Sequence, residues 1–386
     1  MTLTVSPHNF TVLIHINNTV MKFLKILFNS LALLILLLGS MILINACAIH
    51  PDVWEPPVKP AFEGELRLNE KLSNISKIDL GEWNGPEEFA FDDSGNVYCG
   101  VHKGASNFSE GAILKITSEG QVEEFLKTDA WITGMQFDHD GNLIALMNGV
   151  GLVSIDQNKN MQVLVEKDSD DRPILMGSGL TIASDGKIYF ANISSQKTSS
   201  SKYINKLFLE LKPTGGIYRY DPQTKITQTI SNGNYFANGL ALSKDETFLL
   251  LSETSKYRIL KYWLKGEKSG TSEIFLDNLA GFPNNISRKK NGNFWVGFTT
   301  KRNDQLDDIH PKKRMKKFVY GLPSFVQPKA DKFGMILEIS EEGKIVQALF
   351  DTSGDAVMEA GAVKEFNNHL YIGGDVVSYI AKYEIE

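Results

Sequence analysis

A chain of 386 residues, 22% charged and 42% apolar, has the composition of a folded globular protein long enough to bury a sizeable core. A formal net charge of −6 argues against a nucleic-acid partner, because phosphate binding needs a basic face. Two cysteines, Cys47 and Cys99, do not make a disulfide framework, and Cys99 lies in an apolar run where a buried free thiol is expected.

Residues 1–25 read as an N-terminal cytoplasmic segment. The first twenty are nearly uncharged and lead into MKFLK at Met21, which has the look of a second start. Residues 26–49 (ILFNSLALLILLLGSMILINACAI) carry no charge and are long enough to span a bilayer. Lys22 and Lys25 precede this run, whereas Asp52, Glu55 and Glu63 follow it, so the expected orientation is N-terminus in, C-terminus out. An uncleaved single-pass anchor is the leading reading. The alternative is a lipoprotein signal cleaved before Cys47, since Ile44-Asn45-Ala46-Cys47 loosely fits such a box. Both place the rest of the chain on the extracytoplasmic side, tethered to a membrane. Residues 50–65 (HPDVWEPPVKPAFEGE) are Pro-rich without an apolar period and predict a strap or linker.

Residues 66–386 then repeat a single design. GPEEFAFDDSGNVYCGV begins at Gly85, TGMQFDHDGNLIALM at Thr133 and GSGLTIASDGKIYFANI at Gly177. ANGLALSKDETFLLLSE begins at Ala237, PNNISRKKNGNFWVGF at Pro283 and AGAVKEFNNHLYIGG at Ala360. In each, an apolar run meets a polar turn and then a second apolar run. Turns such as DSGN, HDGN and KNGN suit hairpins because Asp-Gly and Asn-Gly tolerate positive φ. Most copies continue into a third strand and the first five into a fourth. Six four-stranded meanders predict an all-β, six-bladed β-propeller preceded by a transmembrane helix. The last copy ends after its third strand, so SKIDLG at Ser76, ahead of the first copy, is expected to supply the fourth and hide the open edges.

Residues 300–333 interrupt copy five. Met315, Phe318 and Val319 stand at helical spacing within a basic stretch, which predicts a surface helix, lid or membrane-contacting element over one mouth. Copy three carries a second insertion, Ser194–Pro213, expected on the same side. Residues opening the first strand of each blade converge on the channel axis. These are Glu87, Ser178, Asn238 and Asn284, with Gly134 and Gly361 in the remaining copies. Oxygen-bearing side chains are the ligands that Ca²⁺ takes, although Asn and Ser also start strands for turn reasons alone. Glu253 and Arg258 are expected to form a structural ion pair. No Gly-rich phosphate loop, HExxH or GxSxG elbow is present.

The wording of GPEEFAFD, FANGLALSKDETFLLLSETSKYRILKYWL, GTSEIFLDNLAGFPNNISR and the PDVWEPP strap resembles the strictosidine synthase-like, adipocyte plasma membrane-associated protein-like branch of six-bladed propellers. It is similar, more distantly, to the gluconolactonase, regucalcin and paraoxonase group. The resemblance covers about residues 50–386 and implies a channel-floor Ca²⁺. Glu87 and Asn238 match the ligands that it implies, whereas Ser178 and Asn284 stand where it has Asn and Asp. It also implies a His near the channel mouth, for which His102 is the candidate. A catalytic Glu in the sixth blade is represented only by Glu359, two residues before the matching Gly361, which argues against alkaloid condensation. The expected function is hydrolysis of a small-molecule ester or lactone. The rival is a non-catalytic propeller serving as a ligand-binding or interaction module.

Overall fold

The computed structural model describes residues 18–103, 110–196 and 202–385. Six four-stranded antiparallel sheets follow one another along the chain. Five are built from consecutive strands. The sixth pairs Ser76–Asp79 with Tyr379–Glu384, in the register Ser76 to Lys382 through Asp79 to Tyr379. The ring therefore closes with the strand expected from the sequence, and no blade presents a long unpaired edge beside the chain ends.

Local chemistry sets the hairpins. In the first, Asp92 Oδ1 accepts from the amides of Ser94 (3.0 Å) and Asn96 (2.9 Å), and Gly95 takes φ 81°. The second repeats this with Asp138, which holds the Asn142 amide at 2.8 Å, and Gly141 at φ 79°. An Asx turn followed by a left-handed glycine joins the two apolar runs with the twist that a hairpin needs.

The hydrophobic core lies between neighbouring blades and not in one central mass. Ala241, Phe248 and Leu250 of blade four pack on Phe294, Val296 and Phe298 of blade five. Leu80, Phe89 and Cys99 pack on Ala362, Tyr371 and Ile380, which seals blade one against blade six. Cys99 is a free, buried thiol whose pKa burial pushes up.

Among the described residues, four α-helices stand outside the ring. Helix α1, Asn18–Cys47, is long and apolar enough to cross a membrane. It begins before the uncharged run, because Lys22 and Lys25 are good helix formers. It stops short of Ile49, which is fully buried. Helix α2, Lys202–Glu210, comes from the insertion in blade three; α3, Asp304–Ile309, and α4, Lys313–Gly321, come from the insertion in blade five. α2 packs on α4, so the two insertions cover one mouth of the propeller. The early part of the third-blade insertion, residues 197–201, lies outside the described residues.

The Pro-rich segment crosses these insertions as a strap. The Lys316 ammonium donates to the Asp52 carbonyl (2.7 Å), Arg302 Nη2 to the Pro57 carbonyl (2.8 Å) and Asn278 Nδ2 to the Val58 carbonyl (2.8 Å). Trp54 packs against Tyr257 and edge-on to His310. Burial lowers the Lys316 pKa to about 8 and that of His310 to about 3.

Candidate functional site

The first strands of blades two to five each carry a register shift near their openings, between Ile132 and Gly134, Gly177 and Leu180, Ala237 and Leu240, and Pro283 and Ile286. A bulge of this kind re-aims side chains that a regular strand would alternate between faces. Here it turns Ser178, Asn238 and Asn284 toward the axis, where they meet Glu87 in one chamber of about 70 Å³. Trp131, Thr133, Thr254 and Asp375 also line that chamber.

Two of the axial glycines are required by close approach. A Cβ on Gly134 would stand 2.0 Å from the Ser178 carbonyl oxygen. One on Gly361 would reach 2.8 Å from Asn284 Nδ2 and 3.3 Å from Glu87 Oε2. The copies without an oxygen-bearing side chain thus supply the space that the others occupy.

The chamber has two chemically different sides. On the first, the Ser178 hydroxyl donates to Asn238 Oδ1, and Asn238 Nδ2 donates to Thr254 Oγ1 (3.2 Å), which in turn donates to the Pro283 carbonyl (2.7 Å). That side is satisfied by protein alone. On the second, Asn284 Nδ2 donates to Thr299 Oγ1 (3.1 Å); outside the chamber lining, Asn285 Nδ2 donates to the Glu87 carbonyl (2.6 Å). Glu87 Oε2, Asn284 Oδ1 and Asn285 Oδ1 are buried and have no hydrogen-bond partner. Buried oxygens of this sort are costly unless something else engages them.

Burial raises the Glu87 pKa well above the usual carboxylate value, and the facing charge of Asp375 adds to the rise; the Asn284 amide offsets it in part. Glu359 is raised by burial and again by Asp375. It sits behind the chamber wall, where its Oε2 accepts from the Val376 amide (3.4 Å), and Gly374 leaves room for its carboxyl. The Asp375 charge therefore acts on both Glu87 and Glu359, and burial makes ionising either of them beside it costly.

His102 does not line the chamber. It is buried behind Trp131, with ring centroids 4.6 Å apart, and its Nε2 lies 2.9 Å from the Asp375 carbonyl oxygen. The structure thus brings together Glu87, Ser178, Asn238 and Asn284, and places His102 and Glu359 one layer out. Asp375 and Trp131 were not singled out from the sequence. The available signal for Asp375 was an acid directly after Gly373-Gly374 at the end of a last-blade strand. Glu253 and Arg258 form the expected ion pair, with Arg258 Nε donating to Glu253 Oε2 at 2.6 Å.

The residues fit a hard cation on one side only. Glu87, Asn284 and Asp375 offer carboxylate and amide oxygens of the kind that Ca²⁺ takes, whereas the Asn238 oxygen already accepts from Ser178. Among the described residues, no three His, Cys, Asp or Glu side chains converge as a metal-holding group, so any cation would depend on amide oxygens and water.

Fold and site together define a six-bladed propeller with an axial chamber of carboxyl and amide groups. The chain matches the strictosidine synthase family over residues 178–267 and the strictosidine synthase-like N-terminal family over residues 64–105. It is 32% identical over 362 residues to protein STRICTOSIDINE SYNTHASE-LIKE 3 of Arabidopsis thaliana, covering 86% of this chain and 90% of that one. It belongs to the strictosidine synthase-like family. The adipocyte plasma membrane-associated protein of Bos taurus is 26% identical over 369 residues, 90% of this chain and 87% of that one. Among solved structures, a gluconolactonase from Xanthomonas campestris superposes with TM-score 0.58 at 16% identity, covering 88% of this chain and 98% of that one. A calcium-binding regucalcin from Agrobacterium tumefaciens gives 0.56 at 12%, covering 81% and 94%. At such identities these two likenesses speak to the fold alone.

Proposed function

We propose that the protein is a membrane-tethered hydrolase of the arylesterase or lactonase type acting on a small ester or lactone in the axial chamber. The observation that carries this reading is the set of unpartnered buried oxygens, Glu87 Oε2 and Asn284 Oδ1, facing a chamber that Asp375 also lines. The gluconolactonase and luciferin-regenerating enzyme folds are in keeping with it. A divalent cation held by Glu87 and Asn284 would supply Lewis acidity toward the substrate carbonyl, with the Asp375 carboxylate kept for proton transfer. Asp375, the more exposed acid, takes a proton from the attacking water as its oxygen adds to the carbonyl carbon. Asp375 then returns that proton to the alkoxide as the ester C–O bond breaks. Trp131 and Phe236 wall the reacting group from bulk water.

The test uses the full chain in detergent, with elemental analysis for calcium and a panel of phenyl acetate and lactones with and without chelator. Asp375→Asn is expected to lower kcat by about a hundredfold, the scale of general base catalysis, with little change in KM. No turnover by the parent, with or without calcium, would leave a non-catalytic ligand-binding propeller. The closed Ser178–Asn238–Thr254 hydrogen-bond chain favours that rival.

The same reading places the propeller outside the cytoplasm. Lys22 and Lys25 lie before the apolar span of α1 and the acids Asp52 and Glu55 beyond it. Protease added to intact cells or spheroplasts is expected to digest the region after residue 50. Protection until lysis would reverse the orientation.

A further inference from the structure

A second cavity of about 210 Å³ lies beneath the cap formed by α2, α3 and α4. Its walls are largely apolar, with Phe282, Leu306, Ile309 and Val319 among them. It shares Ile204, Phe208 and Thr299 with the axial chamber, so the two spaces adjoin across those side chains.

The cap is joined to the membrane span. The last turns of α1 lean on α4 along Gly39, Ile42, Asn45 and Ala46, which are half-buried while their neighbours stay exposed. A Cβ on Gly321 would stand only 2.5 Å from the Ile42 carbonyl oxygen, so the backbones touch there. Ile42 precedes the end of α1 at Cys47 by about 7.5 Å of helix rise, which puts the end of α4 near the boundary of headgroups and acyl chains.

The outer surface of the cap suits that position. Met315, Phe318, Phe325 and Val326 are 43%, 48%, 78% and 51% exposed. Lys312, Lys313 and Arg314 are exposed and Lys317 half-buried, and residues 312–322 hold no acid, in a chain whose net charge is −6. An apolar surface ringed by Lys and Arg is the chemistry of a helix lying in an anionic lipid surface. Asn205 Nδ2 donates to Gln327 Oε1 (2.8 Å) and Gln327 Nε2 to the Leu322 carbonyl (2.9 Å), tying α2 and the segment after α4 together as one roof.

We propose that the cavity under the cap is an acyl-chain site, filled from the bilayer on which the cap rests, and that it orients a lipophilic uncharged ester or lactone with its carbonyl in the axial chamber. The last clause rests on the hydrolase reading; the acyl site itself does not. Without a cation in the axial chamber, a free fatty acid is disfavoured because its carboxylate would face the Asp375 carboxylate. The cap insertions thus serve as both membrane contact and substrate entrance.

The experiment is photolabelling of the full chain in nanodiscs of phosphatidylcholine and phosphatidylserine, with the methyl ester of a diazirine-bearing palmitic acid as probe. Label is expected on peptides containing 204–209, 282 and 300–330, and on α1, which reports that the probe is in the bilayer. Val319→Trp, which fills the cavity from α4, should reduce cap labelling about tenfold, a loss of about 1.4 kcal/mol of binding, and leave the α1 label intact. Leu306→Trp fills it from α3 and serves if the first variant fails to fold. Met315→Glu with Phe318→Glu, both on the exposed surface, should reduce cap labelling through lost docking. Label on α1 alone in the parent, or cap label unaffected by either filling variant, overturns the proposal. Labelling needs no turnover, so an inactive protein that labels as expected would retain the acyl site and lose the hydrolase reading.

Discussion

Deletion of Leu66–Leu80 is expected to abolish the cooperative fold. The segment supplies the outer strand of the sixth blade, Ser76–Asp79, and two buried side chains, Leu72 and Leu80, both at most 2% exposed. It also carries Asn69, whose Nδ2 donates to the Ala348 carbonyl (3.0 Å) and whose Oδ1 accepts from the Phe350 amide (3.1 Å), stapling blade five. Truncating one buried leucine to alanine costs about 2–5 kcal/mol, and removing two together with a strand reaches the 5–15 kcal/mol that typically stabilises a whole domain. The strand Tyr379–Glu384 would then present a bare edge, so aggregation on size-exclusion chromatography should accompany loss of the calorimetric transition. A deletion variant that melts with the parent would show that ring closure contributes little.

The second large effect is a reversal of pH dependence by calcium. Glu87 and Glu359 both have pKa values raised in the folded state, chiefly by burial and then by the Asp375 charge. The folded protein therefore binds more protons than the unfolded chain above about pH 4.5, and stability falls as pH rises through that window. Each such group costs about 1.4 kcal/mol per pH unit until its folded pKa is reached. In chelator, the parent should melt lower at pH 8 than at pH 5.5, and Glu87→Gln should melt higher than the parent at pH 8. Calcium should invert this. A cation that binds only the folded state adds about 2.7 kcal/mol at a hundredfold excess over its dissociation constant. The parent would gain that stabilisation at pH 8 and the Gln variant would lose most of it. Superimposable melting curves for the two proteins across pH would remove the carboxyl cluster as a charged site, and absence of any calcium effect on either would remove the cation.

Much of the architecture is legible in the chain because it rests on local chemistry. Asp92-Asp93-Ser94-Gly95-Asn96 makes its hairpin from its own side-chain and backbone groups, and the same device recurs at Asp138–Asn142. Repetition of such units with apolar runs between them determines blades, and a sixth copy lacking its last strand determines where the ring must close. The uncharged run within α1 likewise announces a membrane-spanning length without reference to any partner.

What converges on the axis was decided by tertiary structure. Glu87, Asn238 and Asn284 could be picked out as strand openings, but the bulges that turn Ser178, Asn238 and Asn284 inward are irregularities of pairing with a neighbouring strand. Asp375 reaches the chamber only because blade six is locked against blade one, a contact between residues nearly three hundred positions apart in sequence. Trp131 came between His102 and the chamber for the same reason: each blade's first strand packs on its neighbour, so depth along the axis depends on stacking and not on spacing. The acyl cavity is the extreme case. It lies between helices from two different blades, roofed where α4 meets α1, and no single segment of the chain carries its pattern because its walls become neighbours only when the ring is closed.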